Sequence, residues 1–535
     1  MKVKFNRIGK KAYGGAQIIA VGTLTGLFVG ITITLYTLLT TMAEEFSRGY
    51  YAFFRNNPAF IPLLFVALFL GSIIIGGMLR FLPMIRGSGI PQTEGATRGM
   101  LRYKWYEVLT GMFAASLFTI FMGLSAGGEG PSIMMGGACG CGTSDLLKRN
   151  ALIRRYQITG GACAGLAVAL NAPLAGMAFA FEEAHKRFTP EVFVCAFSSV
   201  ISATVVNHVL RMLMGLSTGA AFSAFSFAAI EEFDLMFLLY VLLASCVCAL
   251  AGVGFYFLTL QAKKLFRKLN FWKGFGGMVI PFMLAGVCGL ITVYAMGGGH
   301  EFIVALGNFD TLERVFSSPL WATLLIVVVL KFAVTVVNVG AGVPCGAFIP
   351  MLAIGAGLGG LLSLLCSAMG MDPAYSDALV LICMAAVFPT IVKAPITGTV
   401  MVVELTWNFM FLLPVILGTA IGYVVGSIFH TEPIYEVLLE DFLEKDKNKQ
   451  KITVRLLVTE DGQVADRAVR DILWPQDMRV VLVRRGEEQI VPDGNTRLLV
   501  GDLLYAECRT SDEKEVKEAL RHIAGTLLEE EDGTV

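Results

Sequence analysis

The stretch Gly127-Gly128-Glu129-Gly130-Pro131, with Gly136 five residues on, returns as Gly346-Ala347-Phe348-Ile349-Pro350, with Gly355 five on. The two prolines are 219 residues apart (131 to 350), and both copies are embedded in apolar sequence. A second pair of motifs agrees. Asn171-Ala172-Pro173-Leu174-Ala175-Gly176 followed by Glu182 matches Lys393-Ala394-Pro395-Ile396-Thr397-Gly398 followed by Glu404, an offset of 222 (182 to 404). Two independent motifs at one offset predict a duplicated chain, with halves at about 13–230 and 231–440.

The chain has 535 residues, of which 55% are hydrophobic and 16% charged, and a mean hydropathy of +0.69. A soluble protein of this length could not bury so much apolar surface, so the reading is a polytopic, all-α protein of the lipid bilayer. The 58 glycines suit helices that approach closely or break part-way across lipid. A net charge of zero gives no support for a nucleic-acid partner. The eleven cysteines are scattered and read as buried small apolar residues; Cys139 and Cys141 are too close for a Cys-x-x-Cys pair. Neither a cofactor nor a metal is expected.

The run Ala16–Ala43 is too long for a signal-peptide core and reads as a retained transmembrane helix. Lys2, Lys4, Arg7, Lys10 and Lys11 precede it, so residues 1–12 are expected in the cytoplasm. The basic segments at Lys148–Arg155, His185–Arg187 and Lys263–Lys273 are placed on the same side, and the polar stretches Glu44–Asn57 and Gly297–Ser318 outside. The first long apolar helix of the second half ends at Lys263–Lys273 and therefore starts outside. The halves then enter the membrane from opposite sides. Inverted repeats with Gly/Pro-broken helices place a binding site near the bilayer midplane.

In each Gly-x-x-x-Pro copy the glycines leave backbone N–H groups uncovered, and the proline suits a first helical turn. A helix N-terminus carries unpaired donors and about half a positive charge, which favours an anion. A cation site would instead need inward carbonyls or acids, and only Glu129 is available within these motifs. An ionised Glu129 could occupy the anion's own position and vacate it when protonated; the plainer reading is a charge that stabilises its own helix. Gly87-Ser88-Gly89-Ile90-Pro91 is a third small-residue break, where Ser88 offers one hydroxyl donor.

Beyond Glu432-Pro433-Ile434-Tyr435 the composition turns soluble, through a charged linker at 441–450. Within residues 451–525, Met478–Arg484 and Leu498–Glu507 read as strands, and Ser511–Ile523 as an amphipathic helix. Residues 526–535 form an acidic tail.

The ordered set Gly87-Ser88-Gly89-Ile90-Pro91, Gly128-Glu129-Gly130-Pro131, Gly346-Ala347-Phe348-Ile349-Pro350 and Tyr435 resembles the signature of the CLC chloride channel and transporter family, over residues 13–440. The resemblance implies a homodimer with one pathway per subunit, moving chloride and protons without cofactor. It implies that Ser88, Tyr435 and the amides of Ala347 and Phe348 hold a central chloride, that amides near Gly130 and Ile349 line an outer position, and that Glu129 is the gating glutamate. Glu183, in Phe179-Ala180-Phe181-Glu182-Glu183, is similar to the family's inner proton-relay glutamate; a helix-end acid paired with the nearby bases is the alternative. Glu182 and Glu404 read as structural partners. The arginine that usually precedes the gating glutamate is Gly128 here.

The soluble region resembles a TrkA-C regulatory module, whose ligand is unknown. The expectation is a proton-coupled chloride antiporter in the plasma (inner) membrane of a prokaryote, with both termini cytoplasmic. A voltage- or pH-gated chloride channel of the same fold is the alternative. A cation transporter and an intramembrane enzyme find no filter sequence or nucleophile–base constellation to rest on.

Overall fold

The computed structural model describes residues 2–149, 151–184, 186, 189–216, 235–269, 276–443, 450–460, 464–472, 474, 478–510, 520 and 525–528. The first half contains α1 (Lys2–Asn56), α2 (Ile61–Phe81), α3 (Ile90–Thr97), α4 (Trp105–Phe121), α5 (Glu129–Leu146), α6 (Ala151–Leu170), α7 (Pro173–Phe179) and α8 (Pro190–Leu213). The second contains α9 (Leu235–Lys268), α10 (Gly276–Ile291), α11 (His300–Leu306), α12 (Leu320–Ala341), α13 (Phe348–Ala368), α14 (Ser376–Val392), α15 (Pro395–Thr406) and α16 (Leu412–Ile428). A short α17 (Ile434–Leu439) leads toward the soluble region. Among the described residues, eight helices are long and apolar enough to cross a membrane.

Several helices are half-length, as the Gly/Pro breaks predict. Helix α3 has eight residues, α7 and α11 seven each, and α17 six. Gly89, at φ 79°, turns the chain immediately before α3, a left-handed conformation that glycine adopts without strain. Helix α1 runs well past the expected Ala16–Ala43, and it begins inside the segment taken for a separate terminus. The polar stretch from Glu44 forms its last turns; it ends at Asn56, before Asn57-Pro58, where proline cannot continue the ladder.

The two halves are tied by reciprocal bonds. Gly127 N–H donates to Gly346 O at 2.9 Å, and Gly346 N–H donates to Gly127 O at 2.7 Å. The Glu404 carboxylate accepts from Leu174 N–H (2.9 Å) and Ala175 N–H (2.8 Å) at the start of α7. Glu182 does the same at the start of α15, accepting from Ile396 N–H (2.9 Å) and Thr397 N–H (2.6 Å). The two glutamates matched in sequence each cap the other half's helix. Such exchange of equivalent contacts is the mark of a two-fold relation.

The repeats are inverted. Ile18, near the start of the apolar span Gly15–Asn56 of α1, packs with Leu152, Tyr156 and Val192. Neighbouring Arg155 donates to Trp474 O (3.4 Å), and Glu191 is ion-paired with Arg467, both in the soluble region. The end of α9 lies on this same face, where Lys263 bonds Val437 O (3.0 Å) and Asp441 (2.8 Å). The first membrane span of one half therefore starts at the face where the first span of the other half ends.

The soluble region is a five-stranded antiparallel sheet, built from β1 (Gln450–Val458), β3 (Met478–Arg485), β4 (Glu488–Ile490), β6 (Leu503–Thr510) and β7 (Gly525–Leu528) in the order β4-β3-β6-β1-β7. A two-stranded ribbon pairs β2 (Arg467–Ala468) with β5 (Arg497–Leu498). The strand expected over Leu498–Glu507 is split. Gly501 adopts φ 93°, and the Asp502 carboxylate accepts from Leu499 N–H at 2.8 Å, closing a turn between β5 and β6. Apart from Leu520, the helix expected over Ser511–Ile523 lies outside the described residues, as does the acidic tail from Glu529.

Candidate functional site

The Gly127–Gly346 bridge brings the starts of α5 and α13 together. Helix α5 opens at Glu129 with Gly128 as its cap, and α13 opens at Phe348 with Ala347 as its cap. Both starts are buried, and neither has a side-chain cap, so their first N–H groups face the junction. Close packing here depends on missing side chains. A Cβ on Gly130 would stand 2.7 Å from Ser88 O and 3.1 Å from Gly346 Cα. That spacing also shows that Ser88, on the loop into α3, joins the same junction.

Glu129 is buried, and the backbone N–H groups of Glu129 itself and Ile349 are the ones directed at its carboxylate. Its Oε2 has no hydrogen-bond partner and sits where a Cβ of Gly127 would be. Below it, the Phe348 ring stacks on the Tyr435 ring, centroids 6.0 Å apart and 9° from parallel. The Tyr435 hydroxyl is buried without a hydrogen-bond partner. A buried hydroxyl and a buried carboxylate oxygen, both unpartnered, need an explanation in chemistry, because such groups normally are paired. The structure thus gathers Ser88, Glu129, Gly130, Ala347, Phe348, Ile349 and Tyr435 from segments up to 347 residues apart (88 to 435).

Glu183 lies apart from this junction, in a π-helical turn over Ala180–Ala184 that continues α7. It is buried and faces a second carboxyl group, Glu94 on α3; each has a buried oxygen without a partner. Arg98 donates to Glu183 O (3.3 Å) and pairs with Glu94 (3.4 Å) and Glu436 (2.9 Å). Lys186 pairs with Glu436 (2.8 Å). Of the basic cluster His185-Lys186-Arg187, only Lys186 lies among the described residues, and the pair it makes is with Glu436. Tyr435 stands within electrostatic reach of Glu129 on one side and of Glu94 and Glu183 on the other.

Sequence reasoning missed two charged residues here. Glu94 follows the Gly-Ser-Gly-Ile-Pro break by three residues, and its pairing with Glu183 becomes visible only in space. Lys331 is fully buried in α12 and donates to Met296 O (2.9 Å) and Gly297 O (2.6 Å), near Glu129. A lone cation in an apolar 22-residue helix was a legible signal. Among the described residues, no group of three or more His, Cys, Asp or Glu side chains could hold a metal ion. None of the eleven cysteines is in a disulfide, and all but Cys246 are buried.

Comparison with known proteins sets this geometry in a family. The family model described as voltage gated chloride channel matches residues 70–427, and the TrkA-C domain model matches residues 453–521. The H(+)/Cl(-) exchange transporter ClcA of Vibrio cholerae is 30% identical over 444 residues, covering 81% of this chain and 92% of the relative. ClcA of Klebsiella pneumoniae is 30% identical over 382 residues, covering 69% and 77%. Among solved structures, a slow cyanobacterial Cl-/H+ antiporter aligns with a TM-score of 0.69 at 26% identity, covering 81% of this chain and 99% of that one. A CLC-type fluoride/proton antiporter aligns at 0.62 and 16% identity, covering 79% and 98%, and supports the fold alone. The chain is an integral membrane protein of the voltage-gated chloride channel (CLC) family, carrying a TrkA-C domain after its membrane-spanning repeats.

Proposed function

We propose that this chain is an antiporter that exchanges chloride for protons across a bacterial plasma membrane, with both termini in the cytoplasm. The observation that carries the reading is the Glu129 carboxylate at the junction of two helix N-termini, with one oxygen unpartnered. Those termini are built for an anion. While ionised, the carboxylate is that anion; once protonated it loses the attraction, and chloride takes its place. One site alternately filled by chloride and by Glu129 couples the two ions. The exchange activity named for the ClcA relatives supports the same reading.

Chloride would be held by the Ser88 and Tyr435 hydroxyls and by the N–H groups of Ala347 and Phe348, with Gly130 and Ile349 lining the outer position. The unpartnered Tyr435 hydroxyl supplies a free donor. Glu183 serves as the inner proton relay, and facing Glu94 gives it a neighbour with which to hold and pass a proton. The functional unit is a homodimer with one pathway per chain, and the TrkA-C domain is a regulatory module.

The test is chloride efflux from proteoliposomes with simultaneous pH recording. The wild-type chain should move protons against chloride, and Glu129→Ala should carry chloride without protons. A wild-type current that reverses at the chloride equilibrium potential whatever the pH gradient would mark a channel, and proton transport retained in Glu129→Ala would remove the gate.

A further inference from the structure

The proposed cycle leaves open how a proton reaches Glu129 from the side away from the soluble region. Helix α1 carries a carboxylate there. Ile18 is packed at the tail-side face, and Glu44 follows it by 26 residues, about 39 Å along a helix at 1.5 Å per residue. Glu44 is therefore at the opposite face of the membrane.

The Glu44 carboxylate accepts from Gly298 N–H at 3.2 Å. Gly298 in turn packs on Gly127, since a Cβ there would stand 3.7 Å from Gly127 Cα. On Gly127's side, the unpartnered Oε2 of Glu129 fills the place of the missing side chain. Two glycines are thus the wall between the carboxylates, with no side chain contributed by either. From outside, a cavity of about 20 Å³ reaches Glu44, lined also by Ser47, Arg48, Tyr294, His300 and Glu301. That is room for one water molecule.

We infer that Glu44 is the station through which protons from the face opposite the TrkA-C domain load Glu129. The inference rests on the exchange reading above. In the step, the Glu44 carboxylic acid gives its proton to the Glu129 carboxylate, leaving Glu44 ionised and ready to take another from the cavity water; no other bond changes. The charged and titratable neighbours are Arg48 and Tyr36 on α1, Tyr294 on the turn before α11, Lys331 on α12, His300 and Glu301 on α11, and Glu129 on α5. Arg48 is ion-paired with Glu301, and Lys331 is committed to backbone carbonyls. Neither therefore neutralises Glu44 by a direct pair, and Glu44 remains the carboxylate at the cavity that can cycle its proton.

The test compares the full-length wild-type chain with Glu44→Gln in proteoliposomes, varying pH on the side opposite the soluble domain with the tail-side pH held. Glutamine keeps an acceptor for Gly298 N–H but cannot carry a proton onward. Exchange at pH 7 should fall on the order of tenfold with its proton-to-chloride ratio unchanged. Acidifying that side should restore it, by up to about tenfold per pH unit, because direct protonation of Glu129 from water scales with proton concentration. Glu44→Asp should recover part of the rate. A Glu44→Gln chain with the wild-type rate and pH profile overturns the inference, even if Glu44→Ala is impaired, since that pattern marks a hydrogen-bonding role alone. A loss equal at every pH also overturns it. If the wild-type chain moves no protons at all, the exchange reading itself has failed.

Discussion

Replacing Gly346 by alanine is the most direct way to test whether the two-fold junction holds the site together. The added Cβ would stand 2.8 Å from both Gly127 O and Gly130 N, and 3.1 Å from the Glu129 Oε2. Ordinary contact begins at 3.4 Å, so two backbone atoms must retreat by about 0.6 Å. The same retreat lengthens the Gly127–Gly346 bonds of 2.9 and 2.7 Å toward the limit of hydrogen bonding. Overpacking of this kind costs about 1–3 kcal/mol, and each weakened bond adds about 0.5–1.5 kcal/mol. The expected loss is thus about 2–6 kcal/mol, together with a displaced Glu129. Thermal unfolding of the detergent-solubilised chain should begin several degrees lower, and chloride turnover in liposomes should drop. Gly254→Ala is the control, because nothing lies within 4 Å of its Cβ position, and alanine there should stabilise α9 slightly. A Gly346→Ala chain with wild-type stability and wild-type chloride flux would refute the claim that backbone contact at this point organises the site.

The reciprocal caps make a second prediction. Glu404→Ala strips two N–H groups at α7, one of them on fully buried Ala175, and should cost about 2–4 kcal/mol. Glu182→Ala should cost about 1–2 kcal/mol, because Ile396 is 60% exposed and water can reach its amide. Parallel melts would check the order, and equal costs would contradict it. A third prediction concerns the soluble sheet. Burial works upward on the Asp502 carboxyl and is outweighed by Arg485, which binds both its oxygens at 2.8 Å, and by Leu499 N–H, so that it is held below the usual carboxylate range. Its stabilisation is therefore fully present above about pH 3.9, the unfolded value, and is lost as pH falls through the lower folded value. Amide exchange across Leu503–Thr510 should be insensitive to pH-driven loosening down to about pH 4, after correction for intrinsic rates, and should rise in Asp502→Asn at neutral pH.

Much of this architecture was legible because it depends on spacing along the chain. The apolar runs, the proline-opened helices and the common offset of two motifs each report a local rule that the folded chain obeys. Glu182 and Glu404 were recognisable as equivalent from their positions after matching Pro173 and Pro395, although which helix each would cap was not. The errors were also local. Glu44, Glu45 and Arg48 lie past the apolar run Ala16–Ala43 in a polar stretch, yet they are good helix formers and α1 continues through them. The run from Leu498 to Glu507 reads as one strand by apolar alternation, and a single glycine–aspartate turn divides it.

The candidate site was legible only in its parts. Glu129, Phe348 and Ser88 stand out because each follows a glycine break, and Tyr435 and Glu183 stood out through resemblance. The facing of Glu94 and Glu183, the burial of Lys331 against the carbonyls of Met296 and Gly297, and the nearness of Glu44 to Glu129 leave no mark on spacing.

The sequence by itself determined that this chain lives in a membrane, that it is built from two related halves, and that each half opens a broken helix at a Gly-x-x-x-Pro element with one carboxylate between them. Hydropathy and backbone propensity act over a few residues, so they can be read in order. Only the tertiary structure decided that Gly127 and Gly346 exchange hydrogen bonds and that the helix starts converge. It also decided that the carboxylates Glu44, Glu129, Glu94 and Glu183 are distributed from one face of the membrane toward the other. Those outcomes depend on glycines letting backbones approach where a side chain would stand, a contact between residues some 220 positions apart that no local rule encodes.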